Sequence, residues 1–107
     1  MVSKRKKKGA VGDAVTVVVM RLYVAGRAPN SVKAIANLEA ICREHLKDSY
    51  RLEIVDVCEH PRRALDDGVL VTPSLAKLSP TPGASIIGNL SDTHSVLAAM
   101  GIATTKQ

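Results

Sequence analysis

The side chains able to do chemistry are few and scattered. Cys42 and Cys58 each lack a cysteine neighbour, so the Cys-x-x-Cys spacing of redox motifs is absent. A buried, inert thiol is the ordinary role of an isolated cysteine, and Cys42 falls on the apolar stripe of an expected helix. His45, His60 and His94 sit on three different segments, without the ligand-pair spacing of a metal site. Ser31, Ser74 and Ser91 read as turn or cap serines, and no nucleophile signature surrounds them. The glycines are too dispersed to form a phosphate-cradling loop. No catalytic activity, cofactor or metal is expected, and any ATP chemistry belongs to a partner.

A binding role makes better use of what is present. The chain has 107 residues, 46% of them apolar, which suits one domain with a modest core. Its formal net charge of +5 is matched by the run Lys4–Lys8, so the remainder is balanced. Basicity is thus a property of the tail. A basic tail can hold nucleic acid or an acidic surface, or be a solvated leader; the solvated leader is the preferred reading. With no Phe or Trp and only Tyr23 and Tyr50, there is little to stack on bases. No segment approaches the roughly 18 apolar residues of a membrane span. Arg21 interrupts the apolar stretch that follows the basic start, so no signal peptide is read and the protein is expected in the cytoplasm.

These residues need elements to position them. Residues 1–13 read as a disordered basic tail, 14–102 as one domain and 103–107 as a C-terminal tail. The nearly all-apolar run from Ala14 to Val24 suits a central strand covered on both faces, and Ala25-Gly26 ends it. Arg27-Ala28-Pro29-Asn30-Ser31 turns into a helix capped by Asn30 or Ser31 and running to about Lys47. Val32, Ile35, Leu38, Cys42 and His45 or Leu46 form its expected buried stripe. Lys33, Asn37, Arg43 and Glu44 lie at its exposed positions. Arg51–Val57 alternates enough to be a strand parallel to the first, after a right-handed crossover. It could be an edge strand, open to a partner's strand. Glu59–Gly68 is a short helix, with Pro61 early and Gly68 at its stop.

Then comes Val69-Leu70-Val71-Thr72-Pro73, an apolar run leading into a strand whose large apolar residues are Leu75 and Leu78. Proline cannot donate to a ladder, so Pro73 belongs at the first residue of that strand, and the Thr72–Pro73 bond can take either isomer. Ala84–Gly88 is a short last strand, antiparallel to Leu75–Leu78. Ser91 caps a final helix through Met100, with Val96, Leu97 and Met100 on its buried side. A Thr-Pro entering a short strand after a β-α-β-α series resembles the cis-proline corner of thioredoxin-like folds. The fold class is α/β: a thioredoxin-like β-α-β-α-β-β-α single domain. Catalytic proteins of that fold carry a thiol at the turn between first strand and first helix. Here that turn is Arg27-Ala28-Pro29-Asn30, with no sulfur.

Five stretches in order, Leu22–Gly26, Pro29–Ala34, Ile54–Val57, Thr72–Lys77 and Ile86–Ser91, resemble the KaiB family of circadian-clock proteins. Gly26, Pro29, Thr72, Pro73 and Gly88 are the structural residues within them. The resemblance covers about Val18 to Ile102. It implies a non-enzymatic protein that binds the KaiC ring ATPase and engages KaiA or sensor histidine kinases, in circadian or clock-like stress signalling. It also implies two folds that differ in the C-terminal half: a self-associating form, dimeric or tetrameric, and a monomeric thioredoxin-like form that docks. Helix-forming Ala98-Ala99 favours the thioredoxin-like form. Lys33 and Lys77 stand where the family carries basic residues used against KaiC; Asn37 and Arg43 complete the expected partner-binding set. Ala84 and Ser85 stand where many clock members carry an Arg pair, and Glu53 where a basic residue is common. These departures fit a divergent member. The competing readings are a thioredoxin-fold redox protein that has lost or moved its thiol site, and a nucleic-acid-associated protein acting through Lys4–Lys8.

Overall fold

In the computed structural model, which describes residues 17–102, the chain begins with strand β1, Val18–Val24. The tails expected at 1–13 and 103–107, and the first residues of the expected first strand, lie outside the described residues. Helix α1 spans Pro29–Ile41 and runs on as a π-helical turn, Cys42–Leu46. Strand β2 is Tyr50–Asp56, helix α2 Pro61–Asp66, strand β3 Ser74–Ser79, strand β4 Ala84–Ile87 and helix α3 Thr93–Met100. The β-α-β-α-β-β-α order is the expected one. The four strands form one sheet in the order β2-β1-β3-β4. β1 is parallel to β2, while β3 is antiparallel to both β1 and β4.

Strand side chains alternate between the two faces of a sheet, and here the faces are unequal. Met20, Leu22 and Val24 of β1, with Leu75 of β3, turn to one face. They meet Ala34, Leu38, Ile41 and Cys42 from the first helix and Val96, Leu97 and Met100 from α3 in a single buried cluster. Arg21 and Tyr23 turn to the other face, where, among the described residues, the six-residue α2 is the one helix. Apolar burial is therefore concentrated on the α1/α3 side, which is the main source of stability.

Local signals differ from expectation at four places. The first helix starts at Pro29, with Ala28 before it and no side-chain cap. Proline pre-sets the first helical φ and has no N–H to satisfy. Ser31, expected as a cap, is buried inside the helix, and its Oγ accepts the Ala25 N–H at 3.0 Å. The buried stripe is also rotated: Ser31, Ala34, Leu38, Ile41 and Cys42 face the sheet, whereas Val32 is half exposed. At the other end of that helix the Lys47 N–H donates to Cys42 O at 2.8 Å, widening the last turn, and Lys47 at φ +52° ends the helix. Finally, α3 is capped by Asp92, whose Oδ1 accepts the Ser95 N–H at 3.2 Å, and not by Ser91. Ser91 instead donates its N–H to the Asn89 side chain.

The proline corner differs by one residue from expectation, the strand beginning at Ser74 and not at Pro73. Pro73 is buried directly before β3, and the Thr72–Pro73 bond is cis. The apolar run before it is no strand. It is an open loop, with Leu70 94% exposed and Val71 half exposed.

Candidate docking surfaces

A polar network covers part of the α2 face. Glu53 on β2 receives two bonds from Arg63 of α2, Nη1 to Oε2 at 2.7 Å and Nη2 to Oε1 at 2.9 Å. Arg21, beside Glu53 in the parallel register, adds Nε to Oε1 at 2.9 Å. These guanidinium hydrogen bonds hold the Glu53 carboxyl far below the ordinary range, at about 2. Arg21 also reaches Asp67 at 3.3 Å, and the buried Tyr23 hydroxyl donates to the same carboxylate. Burial is the leading reason the Tyr23 hydroxyl is pushed up from its usual value. The network is internally satisfied, which suits a tie between α2 and the sheet better than a reaction centre.

Next to that tie, no helix among the described residues covers the outer face of the sheet. A groove of about 370 Å³ runs over the outer side of β3 and β4, rimmed by Leu70, Val71, Leu78 and Ile87. β2 and β4 are the two ends of the sheet, so each presents an unpaired edge among the described residues. Strand-adding partners use such edges.

The turn between β1 and α1 holds no thiol. Gly26 sits at φ +55°, a left-handed conformation that glycine takes without penalty. Its N–H donates to Asp56 Oδ1 at 3.1 Å, and the Cys58 N–H donates to the same oxygen at 2.9 Å. One carboxylate thus fastens the carboxyl ends of both parallel strands, and those two bonds, Cys58 first, lower the Asp56 pKa. Cys42 is fully buried, and burial pushes its thiol up to about 11. Cys58 is exposed. Among the described residues, no three His, Cys, Asp or Glu side chains converge as a metal site.

The expected contact residues do not share one surface. Lys33 and Arg43 project into solvent from the first helix. Asn37 is half-buried, and its Nδ2 donates to Asn89 O at 2.8 Å, so it ties α1 to the segment before α3. Lys77, the fourth of the expected set, is only 8% exposed, on the core side of β3. Its parity with Leu75 forces this, because a strand that turns residue 75 inward turns residue 77 inward as well. The same parity leaves Leu78 outward and half exposed. The Lys77 ammonium lies at the end of α3, 3.3 Å from where a Cβ on Gly101 would stand. A cation is favourable there, against the free carbonyls of a helix C-terminus. Among the structural residues, Pro29 opens α1, Thr72 and Pro73 form the corner, and Gly26 and Gly88 hold positive φ.

Comparison with known proteins places these features. Residues 21–102 match the family model described as the KaiB domain. Circadian clock protein KaiB3 of Synechocystis is 46% identical over 85 residues, covering 79% of this chain and 83% of that protein. Circadian clock oscillator protein KaiB of Microcystis aeruginosa is 44% identical over 84 residues, covering 78% and 81%. Among solved structures, the N-terminal domain of Synechococcus elongatus SasA superposes with a TM-score of 0.65 at 18% identity, covering 89% of each chain. The Drosophila thioredoxin Deadhead gives 0.64 at 15% identity, covering 79% of each. At those identities the two structures establish the thioredoxin-like fold alone.

Proposed function

The chain belongs to the KaiB family, and from that premise we propose that it is a regulatory protein without enzymatic activity that docks on a KaiC-type ring ATPase. The observation that carries this reading is the family match across residues 21–102, which takes in nearly all of the described fold. Solvent-exposed Lys33 and Arg43 support the first helix as a contact element, and β2 adds a strand edge unpaired among the described residues. A KaiA-like protein or a sensor histidine kinase completes the partner set, and the cytoplasm is where these partners meet. Among the described residues, no helix is long and apolar enough to cross a membrane.

A redox role is disfavoured by placement. The turn that would carry the thiol reads Arg27-Ala28-Pro29-Asn30, and the Cys42 thiol is buried and protonated at neutral pH.

Capture of a KaiC-like ATPase by the immobilised full chain, with and without ATP, tests the proposal. Nucleotide-dependent capture is expected, and Lys33→Glu with Arg43→Glu should lower it at least about tenfold, since each reversal sets a like charge against the partner. Absence of capture in both nucleotide states overturns the reading.

A further inference from the structure

The groove over the outer side of β3 and β4 has a floor, a rim and one polar end. Strand pairing sets Ala76 opposite Ser85 and Ser74 opposite Ile87, so these four side chains share the outer face. Ser74, Ala76 and Ser85 are small and leave a depression between the larger Leu70, Leu78 and Ile87. Ile87 is 60% exposed and Leu70 94%, so the rim keeps apolar surface to cover. The volume of about 370 Å³ falls within the roughly 300–1,000 Å³ of small-molecule sites.

Charge decides which ligand fits. From Gly68 to Ser91 the chain carries one charged residue, Lys77, and that residue is buried on the core side. The charged side chains lining the groove are Arg21 and Asp67, one of each sign. An anion drawn to Arg21 would meet the Asp67 carboxylate, and a cation drawn to Asp67 would meet the Arg21 guanidinium. Both residues have partners, yet each has an atom to spare. Arg21 places Nε on Glu53 and Nη1 on Tyr23 and Asp67, while Asp67 accepts at Oδ2. Among the described residues, Arg21 Nη2 and Asp67 Oδ1 form no hydrogen bond. The polar end thus offers a donor and an acceptor beside an apolar trough. A carboxamide carries the matching pair on one planar group, a C=O that accepts and an N–H that donates.

We propose that this groove binds a small neutral amide with an apolar tail. The amide C=O accepts from Arg21 Nη2, its N–H donates to Asp67 Oδ1, and the tail lies over Ala76 and Ser85 against Ile87. Burial of the tail supplies most of the affinity, and the two hydrogen bonds supply selectivity for the head. The site is on the sheet face away from the first helix, so it is independent of ring-ATPase docking through that helix.

NMR titration of the isotope-labelled full chain with octanamide, octanoate and octylammonium at about pH 7 tests the proposal. These probes share a tail and differ in head charge. Octanamide should shift the backbone signals of Val71, Ser85 and Ile87 with a Kd on the order of 1–10 mM, as expected for so small a ligand. The signals of Lys33 and Arg43 should stay in place. Octanamide should bind about fivefold more tightly than either charged probe, the worth of one hydrogen bond. Ala76→Leu fills the floor from an outward position and should weaken octanamide by at least about fivefold, since the tail loses its burial. Asp67→Asn keeps an acceptor for Tyr23 and leaves the groove net positive, so octanoate should become the tightest of the three. Arg21→Gln should instead favour octylammonium. The absence of shifts at Val71, Ser85 and Ile87 up to about 10 mM octanamide overturns the proposal. So do equal affinities for the three probes, or an order of preference that neither substitution changes. Shifts produced there by a blocked helical peptide with one apolar face, and not by octanamide, would assign the groove to a protein partner and overturn it as well.

Discussion

Arg63 of α2 holds Glu53 of β2 through two parallel bonds, 2.7 Å and 2.9 Å long, and these are the closest charged contacts between that helix and the sheet. Ala64 is the buried residue of α2, so the helix has little apolar surface to dock with. Its attachment leans on polar contacts: the Arg63–Glu53 pair and, one residue past its end, Asp67 with Tyr23 and Arg21.

Stability should therefore fall in acid, partly through Glu53. Arg63 first, then Arg21, lower its folded pKa to about 2, against 4.5 for a free glutamate. A depressed folded pKa stabilises the fold above the unfolded pKa, and that contribution is lost as pH falls from about 4.5 towards 2. Urea unfolding across pH 6 to 2 measures it. Glu53→Gln should be the less stable protein at pH 6, and its stability should decline less between pH 5 and 2. Parallel curves for the two proteins would count against the tie. Asp56 and Asp92, also lowered, titrate in both and cancel in the difference.

Leu22 and Leu75 face each other across the antiparallel β1–β3 pair, and both are fully buried. Truncating either to Ala should cost about 2–5 kcal/mol, through lost apolar burial plus a cavity. The double variant should lose less than the sum, because neighbours share one cavity. Denaturant midpoints at constant slope give these values; strict additivity would mean that the two side chains do not pack as a unit.

Much of this fold was written in local signals. Apolar runs, Pro61 with Gly68, and Pro73 before β3 each carry their own geometry, and element order followed from them. What escaped was information held between elements. The stripe on α1 rotated because helical periodicity alone does not say which of two neighbouring apolar columns meets the sheet: Val32 and Ala34 are both eligible, and Ala34 is the one buried. Lys77 came into the contact set through the resemblance, and its burial follows from strand parity with Leu75. Strand alternation sets Arg21 and Tyr23 on one face, but Asp67 reaches them from 46 and 44 residues away, and no spacing rule could add it. Of the expected contact set, Lys33 and Arg43 kept their exposure; Asn37 and Lys77 became parts of the scaffold.

Gly101 closes α3 at φ +69°, with Gly101 N–H to Ala98 O at 3.1 Å and Ile102 N–H to Leu97 O at 2.9 Å. An L-residue in that conformation costs about 1–2 kcal/mol. Gly26, at φ +55°, carries the same kind of cost, but nothing stands within 4 Å of a Cβ there, whereas at Gly101 the Lys77 ammonium lies at 3.3 Å. Gly101→Ala should thus lower the melting temperature more than Gly26→Ala. In a Lys77→Ala background the penalty at 101 should shrink towards that at 26. An unchanged penalty would show that the lysine gives way freely.

The two cysteines should differ sharply towards an alkylating reagent, and the difference bears on function. Thiolate is the reactive species. Cys42 is enclosed, and burial first, with Glu39 nearby, holds its thiol protonated up to about pH 11. Cys58 is open to solvent. Native protein treated with iodoacetamide at pH 8 should gain one adduct, mapped to Cys58 by mass spectrometry, and a second only in denaturant. The rate at Cys42 should then follow opening of the α1/α3 core, so Leu22→Ala should accelerate it while leaving the rate at Cys58 unchanged. A docking scaffold predicts this passivity. Rapid native alkylation of Cys42 would mean that the helix holding it opens easily, and would return the thiol to consideration as a reactive group.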